Sequence, residues 1–106
     1  MAAAEIPAEL LEDIKHYLDI TWKDEVTDRK VRGFIRSGMA YLNDKLGEKA
    51  DFLEDGLPRT LLFDYVRYFR DGALDVFENN YMSMILAMQN GRKVKQYAQT
   101  QDALQG

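Results

Sequence analysis

The sequence predicts an all-α protein: a small bundle of three to four helices, with a long loop between helices 2 and 3 and a flexible C-terminal tail. Three observations carry that expectation. Apolar residues recur at intervals of three and four in each long segment, the period of one helical face. No strand-type alternation of useful length and no internal repeat appears anywhere. Proline and glycine punctuate the chain at the ends of the periodic segments, at Pro7, Gly47, Pro58 and Gly91.

The first helix opens at Ile6-Pro7, where proline's missing N–H costs nothing. Glu9, Glu12 and Asp13 follow in the early turns, where the helix dipole favours negative charge. Leu10, Leu11, Ile14, Tyr17 and Leu18 form its apolar face. Asp19-Ile-Thr-Trp breaks the period and reads as a turn, with Ile20 and Trp22 as anchors to the core. Asp24 or Thr27 can cap the second helix. Its seam runs Val31, Phe34, Ile35, Gly38, Leu42 and Leu46, and Gly47 is a natural stop.

Between Glu48 and Leu57 the period weakens. Ala50-Asp-Phe-Leu can make one short turn, Phe52 and Leu53 can pin the loop, and Asp55-Gly56 signals a turn. Leu57-Pro58 then announces the third helix. Its apolar band is broad, from Leu61, Leu62, Tyr65, Val66, Tyr68 and Phe69 through Ala73, Val76 and Phe77, as in a central helix with neighbours on more than one side. Glu78-Asn-Asn reads as a bend. Tyr81, Met84, Ile85 and Met88 continue on one face, and Asn90-Gly91 ends the periodic region. The expected division is therefore a helical domain over residues 1–90 and a basic tail over 91–106, where Arg92, Lys93 and Lys95 face only Asp102.

Composition narrows the function classes. The chain has 106 residues, enough for one domain, and no cysteine, so no disulfide, thiolate metal site or cysteine nucleophile is available. The start lacks the basic and apolar regions of a signal peptide, and no apolar run approaches a membrane span, so a soluble protein is expected. A net charge of −4 argues against nucleic acid as the partner of the whole surface.

Catalytic constellations are not in evidence. His16 is the one histidine and sits at a helix edge, where it reads as structural or solvated. Carboxylates are plentiful, at Glu9, Glu12, Asp13, Asp64, Asp71, Asp75 and Glu78, but a di-iron bundle needs a Glu-x-x-His pair on each of two helices. They read as charged helix faces with intrahelical pairs. Gly33, Gly38 and Gly72 are isolated and match no phosphate loop. Gly38 lies on the apolar seam, where it suits close approach of another helix. Ser37 and Ser83 lack a nearby histidine. The expectation is no enzyme, no cofactor and no metal.

Partner contacts are better supported. Arg29, Arg32 and Arg36 make a basic stripe on the second helix, a candidate subunit interface for a head-to-tail ring with an acidic counter-face. Met82 falls off the main apolar face of its segment and is a surface candidate, while Met84 and Met88 read as core.

The order and spacing of four segments resemble the head–tail connector (adaptor, or head completion) proteins of tailed bacteriophages. Leu11-Glu-Asp-Ile-Lys-His-Tyr-Leu-Asp-Ile looks like the family's short first helix, and Thr21-Trp-Lys-Asp-Glu like the charged turn that follows. Val31-Arg-Gly-Phe-Ile-Arg-Ser-Gly-Met-Ala-Tyr-Leu-Asn is similar to its second helix. Leu61-Leu-Phe-Asp-Tyr-Val-Arg-Tyr-Phe-Arg-Asp-Gly-Ala-Leu-Asp-Val-Phe-Glu-Asn-Asn-Tyr looks like its third, and the likeness spans Leu10 to Met88.

The resemblance implies a virion protein at the head–tail interface, assembled in the bacterial host cytoplasm. It implies a ring of about a dozen subunits beneath the portal protein, extending the DNA channel and docking the stopper or tail-completion protein. DNA passes through such a channel without specific binding, and no membrane is involved. Arg92, Lys93, Lys95 and Tyr97 become candidate portal contacts in a tail that orders on binding. The loop with Glu48, Lys49, Asp51, Glu54 and Asp55 becomes a candidate lumen- or stopper-facing element. Two other classes remain open: a small helical partner-binding module of antitoxin or chaperone type, and a helix-turn-helix DNA-binding regulator. The second needs a tight turn before an exposed basic helix.

Overall fold

The structure is a computed structural model that describes residues 6–105, with side chains described through residue 100. Four helices follow one another: α1 (Ala8–Tyr17), α2 (Glu25–Leu46), α3 (Leu57–Arg70) and α4 (Leu74–Gln105). Among the described residues there is no strand. α3 packs against both α2 and α4, α2 also meets α4, and α1 packs on α2 with Tyr17 and Asp13 reaching α3.

Each end of an element has a local cause. Pro7 takes the N-cap of α1 in an extended conformation, one residue before the helix proper. α1 ends where Asp19 adopts φ 60°, a left-handed conformation that aspartate tolerates better than most residues. The Ile20 N–H then reaches back to the Lys15 carbonyl at 2.8 Å and places Ile20 in the core. Trp22 is not the anchor the sequence suggests; it is 50% exposed, because Ile20 alone closes the turn. Asp24, not Thr27, caps α2: its carboxylate accepts from the Thr27 N–H at 3.1 Å and from the Thr27 hydroxyl at 2.7 Å. Gly47 ends α2 at φ 84°, its N–H on the Asn43 carbonyl.

The core is built from helical seams. Leu10, Leu11, Ile14 and Leu18 of the first helical segment meet Val31, Ile35, Leu42 and Leu46 of α2, and Leu61, Leu62, Tyr65 and Val66 of α3. Gly38 allows α2 and α3 to touch: a Cβ there would stand 2.7 Å from Leu62 Cδ1 and 2.8 Å from Tyr65 Cδ1. Aromatic rings interlock α2, α3 and α4. Phe77 lies edge-on to Tyr65 at 5.3 Å and stacked on Tyr81 at 4.8 Å, and Phe34 stacks on Phe69 at 4.5 Å.

Three sequence expectations fail in α3 and α4. The broad band from Leu61 to Phe77 is two helices, not one. Gly72 adopts φ 71° and the Ala73 N–H bonds back to the Tyr68 carbonyl at 2.8 Å, so the chain turns between Asp71 and Ala73. Both helices present apolar residues to the same core, which makes their patterns merge in sequence. The bend expected at Glu78-Asn-Asn does not occur, since all three lie inside α4. The Asn80 side chain donates to the Tyr68 hydroxyl at 3.2 Å and leaves the backbone helical.

The helix end expected at Asn90-Gly91 is likewise absent. α4 continues to Gln105, so the basic tail is the last turns of the same helix. At about 1.5 Å per residue its 32 residues span roughly 48 Å, which accounts for a long axis of 54 Å against 28 and 27 Å for the others. No described helix is long and apolar enough to cross a membrane.

Candidate interaction surfaces

The basic stripe exists as an exposed face. Arg29, Arg32 and Arg36 are separated by three and four residues, which puts them within one arc of α2, away from the seam of Val31, Ile35, Gly38 and Leu42. All three are exposed, and among the described residues none belongs to an ion pair. Gly33 lies beside them with open space around it.

At the far end of α2 the loop carries the acids. Glu48, Lys49, Asp51, Glu54 and Asp55 are all exposed. The loop itself is pinned. Phe52 is buried, its carbonyl accepts from Arg59 at 3.1 Å, and the Ala50 N–H donates to the Asn43 side chain at 2.9 Å. Leu53, the second expected pin, is 41% exposed because Phe52 fills the available space. Glu48 pairs with Arg92 at 3.3 Å, and Asp55 stands 3.9 Å from Arg59. Next to the loop runs an open apolar groove of about 280 Å³, floored by Leu46, Leu57, Pro58 and Met88 and edged by Glu48 and Lys95.

The four tail residues are dispersed by the helix. Arg92 turns toward the body and joins α4 to the loop through Glu48. Lys95 borders the groove. Lys93 and Tyr97 point elsewhere, Tyr97 at 67% exposure, with Val94 beside them at 68%. Sequence reasoning missed what α4 does with its other side: Val76, Leu86 and Val94 are exposed together with Met82, the one surface methionine that was expected. The signal was present as apolar residues out of phase with Phe77, Ile85 and Met88.

A second cleft, of about 240 Å³, opens between Tyr17, Arg59, Phe63 and Asp64. Its polar groups already serve one another. The Tyr17 hydroxyl donates to Asp64, Arg59 pairs with Asp13 at 2.9 Å, and the Arg59 guanidinium lies 4.6 Å from the Phe63 ring centre. The hydrogen bond to Asp64 and burial hold the Tyr17 phenol above its ordinary range. This cluster clamps α1 onto α3. His16 is exposed, and among the described residues no three His, Asp or Glu side chains converge on a common metal position.

No protein-family profile matches the chain, and no curated protein or solved structure is significantly similar to it.

Proposed function

We infer that this chain is a structural head–tail connector protein of a tailed bacteriophage, assembling as a ring of about a dozen copies between the portal and the stopper or tail-completion protein. The observation that supports it most is the C-terminal arm. Beyond Arg92 every described side chain of α4 is exposed, and only Lys95 still borders the body; Val94 and Tyr97 stand exposed among the basic residues. A helical end of that length gains little stability alone in water, so its value lies in docking. In the connector reading, Lys93, Lys95 and Tyr97 dock on the portal while Arg92 holds the arm's root to the loop.

The overall charge agrees with a conduit. A protein of net charge −4 lets DNA pass without the phosphate contacts that would grip it. The helix-turn-helix alternative meets an obstacle in α4. The three-residue turn from Asp71 to Ala73 has a suitable length, but the first turns of α4 expose Asp75, Glu78 and Asn79 where a DNA-reading helix needs cationic donors.

Native mass spectrometry of the full chain, alone and with the portal protein of the same genome, tests the reading. A portal complex carrying one complete ring is expected. Deleting residues 96–106 is expected to abolish that complex while leaving thermal unfolding of the chain within about 0.5 kcal/mol of the parent, as for other exposed changes. A chain that stays monomeric and ignores the portal removes the connector reading in favour of a one-to-one partner-binding module.

A further inference from the structure

Among the described residues, two charged surfaces are left largely without ion pairs, although Lys49 and Lys95 line the same depression as the loop acids. The other arginines in the described region are engaged: Arg59 with Asp13, Arg67 with Asp64, Arg92 with Glu48, and Arg70 with the Leu18 carbonyl. Arg29, Arg32 and Arg36 are the exception, aligned and exposed. On the loop, Asp51 and Glu54 have no cation within ion-pair distance among the described residues, and Asp55 reaches Arg59 only at 3.9 Å with its side chain fully in solvent.

Their placement decides what they can do. From Arg36 to Gly47 is eleven residues of one continuous helix, about 16 Å along its axis, and the stripe extends further back from there. That exceeds the screening length of about 8 Å at physiological salt, so stripe and loop do not neutralise each other within a chain. A rigid α2 keeps them from ever meeting. Between two chains they meet readily, and every such contact leaves one stripe and one loop free. This is heterologous association, which closes into a ring when the rotation per step allows it.

Each surface also brings apolar area. Val26 precedes Arg29 by one turn and is 60% exposed, while the loop offers Leu53 and the adjoining groove floored by Leu46, Leu57, Pro58 and Met88. The loop's pinning by Phe52 and Arg59 means its acids are held in place before any contact forms.

We propose that copies of this chain bind head to tail, the Arg29, Arg32 and Arg36 face of α2 in one copy seated on the Asp51, Glu54 and Asp55 loop of the next. The inference rests on the ring reading for its biological meaning, and it moves the acidic loop from the lumen or stopper side to the boundary between subunits. Charge here sets direction and register, with the apolar contacts excluding water around it.

Charge exchange tests the pairing. The variants R32E/R36E and E54K/D55K alter exposed side chains, so each is expected to fold, which circular dichroism checks. Ring assembly, by native mass spectrometry of the full chain with and without portal, is expected to weaken at least about tenfold in either variant, since like charges then face each other. The chain carrying all four substitutions is expected to assemble again. An equal mixture of the two variants is expected to give rings with both chains in equal number.

An R32E/R36E chain that assembles as well as the parent overturns the contact and leaves the ring reading standing. So does an E54K/D55K chain that forms normal rings but loses the stopper protein, which would return the loop to that partner. Failure of the folded four-substitution chain overturns the pairing even if both single-surface variants fail. A parent chain that is monomeric alone and with portal overturns contact and ring reading together.

Discussion

Lys15 is the one buried charged residue among the described residues. Its ammonium group lies 2.8 Å from Asp28 at the start of α2. A buried ammonium is tolerable only while its partner is present. Asp28→Ala is therefore expected to destabilise the fold by about 2 kcal/mol, below the usual range for a buried pair because Asp28 keeps a fifth of its side chain in water. Urea unfolding followed by circular dichroism measures it, and a loss under about 0.5 kcal/mol would show that water reaches Lys15 instead. Neither partner could be singled out in sequence. Lys15 looks like any helix lysine, and only the approach of α1 to the first turn of α2 buries it.

At the scale of elements, two glycines of one helix have opposite roles. Gly38 sits where α2 meets α3, with Leu62 and Tyr65 side chains, both buried, inside the space of a Cβ. Gly33 lies five residues earlier with nothing within 4 Å. Gly38→Ala is expected to cost about 1–3 kcal/mol through overpacking, partly offset by helix propensity. Gly33→Ala is expected to gain up to about 1 kcal/mol, because alanine removes conformational freedom from the unfolded chain without a clash. Thermal melts of the two variants should move in opposite directions, and equal shifts would mean α2 and α3 are not in close contact at Gly38. The seam position of Gly38 was legible from its spacing. The break at Gly72 was not, since the apolar pattern runs straight across it and only the left-handed turn there separates α3 from α4.

For the whole molecule, the aromatic centre makes the fold sensitive to alkali. Burial, with the Glu78 carboxylate adding to it, pushes the Tyr41 phenol up to about 12, and burial with the nearby Asp64 carboxylate raises Tyr81 as well. The unfolded chain releases these protons near pH 10. The folded state holds them more tightly, so this contribution to stability is fully present below about pH 10 and is lost as the pH rises through about 12. Urea midpoints measured from pH 8 to 12 should stay level and then fall above about pH 10, with Tyr41→Phe flattening the decline. An unchanged decline in that variant would place the alkaline sensitivity elsewhere. The same scale explains the shape. A radius of gyration of 15.6 Å exceeds the roughly 13 Å of a compact chain this size, because α4 outruns the core it packs on.

The sequence by itself determined the helical class, the seams of α1, α2 and α3, the stop at Gly47, the long loop, and the arginine stripe, while it left the cap of α2 open between Asp24 and Thr27. These follow from spacing and from local backbone chemistry, which are written residue by residue. Tertiary structure alone decided where α3 ends, that α4 runs unbroken through Asn90 and Gly91, that Trp22 stays outside while Ile20 goes in, and that Arg92 parts from Lys93 and Tyr97. Those outcomes depend on which helix face meets which neighbour. A glycine inside a helix and a glycine at its end read alike until the packing on either side is known.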